Sequence, residues 1–104
     1  MKESLIVSAI ANYLQYLENQ GKCVFQRNNS GALPTAKGGF IRFGKTGAPD
    51  FIIWLPQGNC ICIEVKNEKG KLSPGQKEFK DKIEKLSYKY YLVRSLSDVE
   101  NILK

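Results

Sequence analysis

The chain has 104 residues, room for one domain (1–104) with one hydrophobic core, and no apolar run approaches the ~20 residues of a membrane-crossing helix. Hydrophobic residues at 42% and charged residues at 25% are ordinary for a globular protein, so a soluble domain with no membrane partner is expected. Sixteen basic against ten acidic residues give a net charge of +6, which suits a polyanion such as DNA, and the lack of any histidine excludes Ser-His-Asp, Cys-His and His-pair chemistry; a hydrolase here must use carboxylates, lysine, tyrosine or a metal.

Met1-Lys2-Glu3-Ser4 leads directly into a periodic segment without the layout of a secretory leader. From about Glu3 to Gln20 the residues Ile6, Ile10, Tyr13, Leu14 and Leu17 recur at the helical interval, and Gly21 stands where a left-handed cap is wanted. A short strand is predicted over residues 22–27. Residues 28–47 are rich in glycine and small polar side chains, interrupted by Phe40-Ile41-Arg42-Phe43, and a loop of that length is usually functional or mobile. Phe51-Ile52-Ile53-Trp54-Leu55 and residues 60–66 read as two strands, with the turn residues Pro56-Gln57-Gly58-Asn59 between them. Ser73-Pro74 starts a second long helix with an apolar stripe of Phe79, Ile83 and Leu86. Lys89 to Arg94 is the last strand, and Ser97 with Glu100 forms a capping box on a short C-terminal helix. The element order is helix, three strands, helix, strand, helix. Three cysteines, Cys23, Cys60 and Cys62, with the last two on one face of a strand, point to a reduced, cytoplasmic setting.

The chemistry concentrates on the predicted hairpin. With residues 56–59 as its loop, Leu55 pairs with Cys60 and Asp50 falls opposite Val65, to within one residue of register. Asp50 thus meets Glu64-Val65-Lys66 across the ladder, where facing Cβ atoms are ~5 Å apart. Two carboxylates so placed repel one another unless a cation lies between them, and hard oxygen ligands in a pair suit Mg²⁺. Glu64 and Lys66, two apart on a strand, share a face, so the ammonium can orient an attacking water or neutralise charge in a phosphorane-like transition state. A solvated Glu-Lys pair at a strand end would have the same spacing. Gln76 either completes a capping box with Ser73 or, in line with Phe79 and Ile83, faces the sheet. Glu3 either favours the dipole of its helix or joins the acids from the inward side.

Gly47-Ala48-Pro49-Asp50, Glu64-Val65-Lys66, Gly70-Lys71-Leu72-Ser73-Pro74-Gly75-Gln76 and Tyr91-Leu92-Val93-Arg94-Ser95 together resemble the VRR-NUC family of the PD-(D/E)xK nuclease superfamily, and the likeness extends to Glu3 and to residues 27–31. The resemblance implies a restriction-endonuclease-like αβββαβ core, a small mixed sheet flanked by helices, with a short C-terminal helix added. It implies metal ligation by Asp50, Glu64 and the carbonyl of Val65, with Glu3 in or near the shell, Lys66 positioning the water and Gln76 supporting the centre. The expected reaction is Mg²⁺- or Mn²⁺-dependent hydrolysis of a DNA phosphodiester to leave a 5′-phosphate. Free-standing members of this kind resemble phage or bacterial replication, repair and recombination proteins that act as homodimers on branched DNA such as four-way junctions.

Three further signals in the sequence compete with this reading. Gly39 to Thr46 matches G-x-x-x-x-G-K-[ST], but Gly47-Ala48-Pro49 and a strand follow it where a phosphate loop needs a helix. That stretch reads instead as a basic, glycine-hinged loop whose Arg42 and Lys45, with Arg27, could touch DNA phosphates. Asn28-Asn29-Ser30 fits the glycosylation pattern without a secretory context, and Tyr88, Tyr90 and Tyr91 are read as core and rim before base-stacking residues. The rival function is a non-catalytic DNA-binding module on the same scaffold.

Overall fold

The periodic N-terminal segment forms α1 (Glu3–Asn19), burying Ile6, Val7, Ile10 and Leu14 along one stripe. Gly21, at φ +73°, lets the chain turn back, and the N–H groups of Gly21 and Lys22 donate to the carbonyls of Glu18 and Leu17. The structure, a computed structural model, describes residues 1–28, 31–43 and 45–104, with 31–34 and 40–43 described in backbone only.

Among the described residues six strands follow: β1 (Val24–Arg27), β2 (Gly31–Pro34), β3 (Phe40–Phe43), β4 (Phe51–Trp54), β5 (Cys60–Val65) and β6 (Lys89–Val93), with α2 (Pro74–Lys85) between β5 and β6 and α3 (Leu96–Ile102) last. Four of them form one mixed sheet in the order β1-β4-β5-β6, in which only the β5–β6 pairing is parallel. Counting the strands of this sheet alone, the chain runs α1, β1, β4, β5, α2, β6, α3, which is the expected αβββαβ core with a short C-terminal helix.

The segment 28–47 differs from the expected loop. Its Phe40–Phe43 run pairs antiparallel with Gly31–Pro34 as a separate two-stranded ribbon, closed by the Thr35 N–H donating to Gly39 O at 2.8 Å. Alternation along a strand needs a partner to become structure, and the partner here is a glycine-led tetrapeptide with no strong strand signature.

Alternation divides the main sheet into two faces. Phe51, Ile53, Ile61, Ile63, Val65 and Val93 point to the side covered by α1 and α3, and with Ile10, Leu14 and Val99 they form the core. Each such aliphatic side chain contributes about 1.5–3 kcal/mol by leaving water. The other face carries Asp50, Cys62, Glu64 and Tyr90, and α2 packs over it through Phe79, whose ring centroid lies 6.3 Å from that of Tyr90. No residue of α2 is fully buried, and Leu86, expected in its apolar stripe, is 68% exposed because the helix ends at Lys85 and Leu86 becomes its cap. The C-terminal helix is capped two residues earlier than expected: Ser95, not Ser97, accepts from the Asp98 N–H, and Ser97 lies inside the helix. All three cysteines are free thiols.

Gly47 sits at φ +82°, and a Cβ built there would run into the carbonyl of Gly75 in the first turn of α2. The lead-in to Asp50 is thus pressed against the helix that carries Gln76. Gly47→Ala combines a left-handed backbone with a collision against main chain, so a loss of about 2 kcal/mol or more is expected. A thermal melt within a degree of the parent would show that this approach is loose.

Candidate active site

The hairpin register brings the two central acids directly together. Pro56–Gly58 forms a single tight turn with Gln57 at φ +66°, so the Leu55 N–H donates to Asn59 O and Trp54, not Leu55, pairs with Cys60. The expected pairing is displaced by one residue, and continuing the ladder from Phe51↔Ile63 puts Asp50 opposite Glu64 instead of Val65. Facing residues in an antiparallel pair point to the same side, so the shift sharpens the encounter of the two carboxylates.

Pro49 explains how Asp50 is held. In this register Val65 falls opposite Pro49, which has no N–H to return a ladder bond. The Val65 N–H donates to Asp50 Oδ2 at 2.8 Å, while Pro49 O accepts from Asn28 Nδ2 at 2.9 Å. The ladder ends by taking the aspartate side chain as its last acceptor, and the carboxylate is fixed by main chain.

Glu64 is buried, its side chain only 5% exposed. Lys66 Nζ lies 3.5 Å from Glu64 Oε2, with the lysine side chain 14% exposed, so this is no solvated strand-end pair. Gln76 Nε2 donates to the same oxygen at 3.1 Å. Both readings of Gln76 hold together: its Oε1 accepts from the Ser73 N–H at 2.9 Å and its own N–H donates to Ser73 Oγ at 3.2 Å, completing the capping box. One amide side chain thereby caps α2 with its oxygen and reaches Glu64 with its nitrogen. Arg94 anchors the far side, donating from Nη1 to Asn67 O and Gly70 O at 2.6 and 2.8 Å, which pins the turn just after Lys66.

Burial is the main reason that the Glu64 carboxyl is pushed up to about 7, the charge of Asp50 adding to it and Lys66 opposing. Asp50 is also raised, first by burial, while its bond from Val65 pulls the other way. Glu3, half-buried in the first turn of α1, raises both through its charge. Among the described residues no three His, Cys, Asp or Glu side chains gather into a group able to hold an ion, so the acids come as a pair with Glu3 outside it.

These shifts carry a sign. Between pH 4.5 and about 7 the folded chain keeps a proton on Glu64 that the unfolded chain has lost, so stability falls as pH rises through that window. At ~1.4 kcal/mol per pKa unit the effect is of the order of 3 kcal/mol. The ion-free protein is expected to melt at lower temperature at pH 8 than at pH 5, and Glu64→Gln should flatten much of that slope. Parallel curves for the two proteins would remove the burial argument.

The remaining site residues scatter. Arg27 is exposed at the end of β1 and shares its face with Phe25 and Phe51, on the α1 side of the sheet, beside the acid pair and not within it. Lys45 is exposed and, with Thr46, Gly75, Glu78, Phe79 and Lys82, lines a cleft of about 280 Å³ along the start of α2. The side chain of Arg42 lies outside the described residues, as do Asn29 and Ser30 of the glycosylation pattern and Gly44 of the phosphate-loop pattern. Sequence reasoning did not single out Tyr90 for this site, yet the parallel β5–β6 pairing sets it beside Cys62, on the face of the sheet that carries the acids.

The family model described as VRR-NUC domain matches residues 7–96. No curated protein matched. Among solved structures, one titled "VRR_NUC domain" superposes with a TM-score of 0.66 at 23% identity, covering 99% of this chain and 96% of that one, a likeness of fold.

Proposed function

The chain belongs to the VRR-NUC domain family, nuclease domains that act on DNA, and from that premise we propose that it is a divalent-metal-dependent endonuclease whose centre is Asp50, Glu64 and Lys66. The observation that carries this reading is the direct juxtaposition of Asp50 and Glu64, both with raised pKa, beside a single ammonium. One buried and one half-buried carboxylate, with a third acid nearby and, among the described residues, Lys66 against them, are a donor set short of positive charge. They suit Mg²⁺ or Mn²⁺, which accept one or two carboxylates and fill the rest of the shell with waters. Asp50 and Glu64 would hold the ion together with the carbonyl of Val65, and Glu3 would add negative potential from α1. When bound, such an ion neutralises charge growing on the phosphate oxygens and acidifies water.

The chain's own residues do the rest. Gln76 keeps one Glu64 oxygen in place through a hydrogen bond whose other end is anchored in the cap of α2. The Val65 N–H keeps Asp50 in place. Lys66 offers its ammonium to the water that attacks phosphorus or to the phosphate oxygens as they gain charge. The new P–O bond forms from water, the P–O3′ bond breaks, and the 3′ oxygen leaves with a proton, giving a 5′-phosphate end. Lys45 and Lys82, on the cleft beside Gly75, and Arg27 at the rim of the sheet would offer cations to the flanking backbone, and the basic character of the loop sequence extends that role to Arg42.

All 104 residues are read as one catalytic unit. A preference for branched DNA such as four-way junctions, action as a homodimer and a place in the bacterial or phage-infected cytoplasm rest on the resemblance. Among the described residues no helix is long and apolar enough to cross a membrane.

The test is incubation with linear, nicked, flap and four-way-junction DNA in Mg²⁺, Mn²⁺ or chelator. Cleavage only with metal is the expected result. DNA bound with equal affinity in all three conditions and never cut would make the chain a binding module instead.

A further inference from the structure

Tyr90 is 4% exposed, and its hydroxyl is buried with no hydrogen-bond partner among the described residues. Its ring packs against Phe79 and would do so as well if it were a phenylalanine. A buried polar atom left unpaired is destabilising, so the hydroxyl works against the fold as it stands. Its surroundings suggest what it serves. The parallel register puts Tyr90 beside Cys62, on the face that carries Glu64 one step further along β5. A phenol hydroxyl can donate, and the carboxylates of Asp50 and Glu64 on the same face of the sheet are acceptors. Lys66 and Gln76 already hold Glu64 Oε2.

We propose that Tyr90 is a positioning residue for the acid pair: when a divalent cation occupies the site, its hydroxyl donates to the Glu64 carboxylate and sets how that carboxylate faces the ion. The inference rests on the metal-dependent reading above and adds one residue to it. It also accounts for a polar atom kept where an apolar one would fit better, since the hydroxyl finds its partner only in the loaded protein.

The experiment compares the full chain with Tyr90→Phe and Glu64→Gln, using Mn²⁺ alone as the probe. Binding is followed by calorimetry and by loss of the free-ion paramagnetic signal, and thermal melts are recorded without metal. Tyr90→Phe should melt at or above the parent temperature without metal and yet bind Mn²⁺ roughly tenfold more weakly, the worth of one hydrogen bond to a charged group. Parent-like Mn²⁺ affinity in Tyr90→Phe, with binding lost in Glu64→Gln, would overturn the role of Tyr90 and leave the metal site standing. A metal-free melt well below the parent would also overturn it, by showing that the hydroxyl already has a structural partner. No Mn²⁺ binding by the parent would end both readings.

Discussion

Asp50→Asn and Glu64→Gln should each lower cleavage by roughly 10³-fold or more, the upper range for removing a group that stabilises charge in the transition state. Neither change should harm the fold. An asparagine oxygen can still accept from the Val65 N–H, and a glutamine oxygen at position 64 can still accept from Gln76 Nε2. Each also removes one negative charge from a pair that is costly without an ion, because burial raises both carboxyls, with the charge of Asp50 adding to it at Glu64 and that of Glu3 at both. The ion-free variants should therefore melt at or above the parent at pH 8 while losing activity. A structural acid would give the opposite pattern, with stability and activity falling together. Single-turnover cleavage of a four-way junction, read beside thermal melts and DNA binding, separates the two. Cleavage at the parent rate by either variant would remove the proposed centre.

Much of this site was legible because its spacings are local. Glu64 and Lys66 share a face by strand alternation alone, and Ser73, Pro74 and Gln76 announce the start of α2 by their offsets. The register was legible only to within one residue: residues 56–59 have turn chemistry, but which of them close the turn depends on Gln57 adopting φ +66°, which its residue type does not favour. The ribbon was hidden for a different reason, since Gly31–Pro34 becomes a strand only through its pairing with Phe40–Phe43. Arg27 illustrates a third limit. A cation at the end of a strand looks available to DNA from the sequence, but its face follows from the pairing of β1 with β4. Tyr90 needed the most distant information of all, because the strand beside it is reached through α2 and the pairing is parallel.

Gln76 shows why two readings of one residue need not compete. The capping box consumes its oxygen and its backbone N–H, and leaves its amide nitrogen free to donate. Helix start and acid placement are thus mechanically joined, and the close approach of Gly47 to Gly75 ties the entry to Asp50 into the same turn. The geometry of the acid pair depends on where α2 begins more than on how deeply α2 is buried.

Lys66→Ala should cost at least 10²-fold in rate, the scale at which a water-orienting or charge-neutralising group is lost. Its stability effect should depend on pH, and that dependence is diagnostic. Lys66 opposes the rise of Glu64, so without the ammonium the glutamate becomes harder to ionise. At pH 5 Glu64 already holds its proton and loses little; at pH 8 it must be charged inside the protein without its cation, and the variant should be clearly less stable than the parent. Lys66→Arg tests the chemistry apart from the charge. It keeps a cation near Glu64 and should recover the stability at pH 8, but a planar guanidinium offers its donors in a fixed fork and should not restore the rate. Full activity in Lys66→Ala, or a stability loss equal at both pH values, would make this lysine a packing residue.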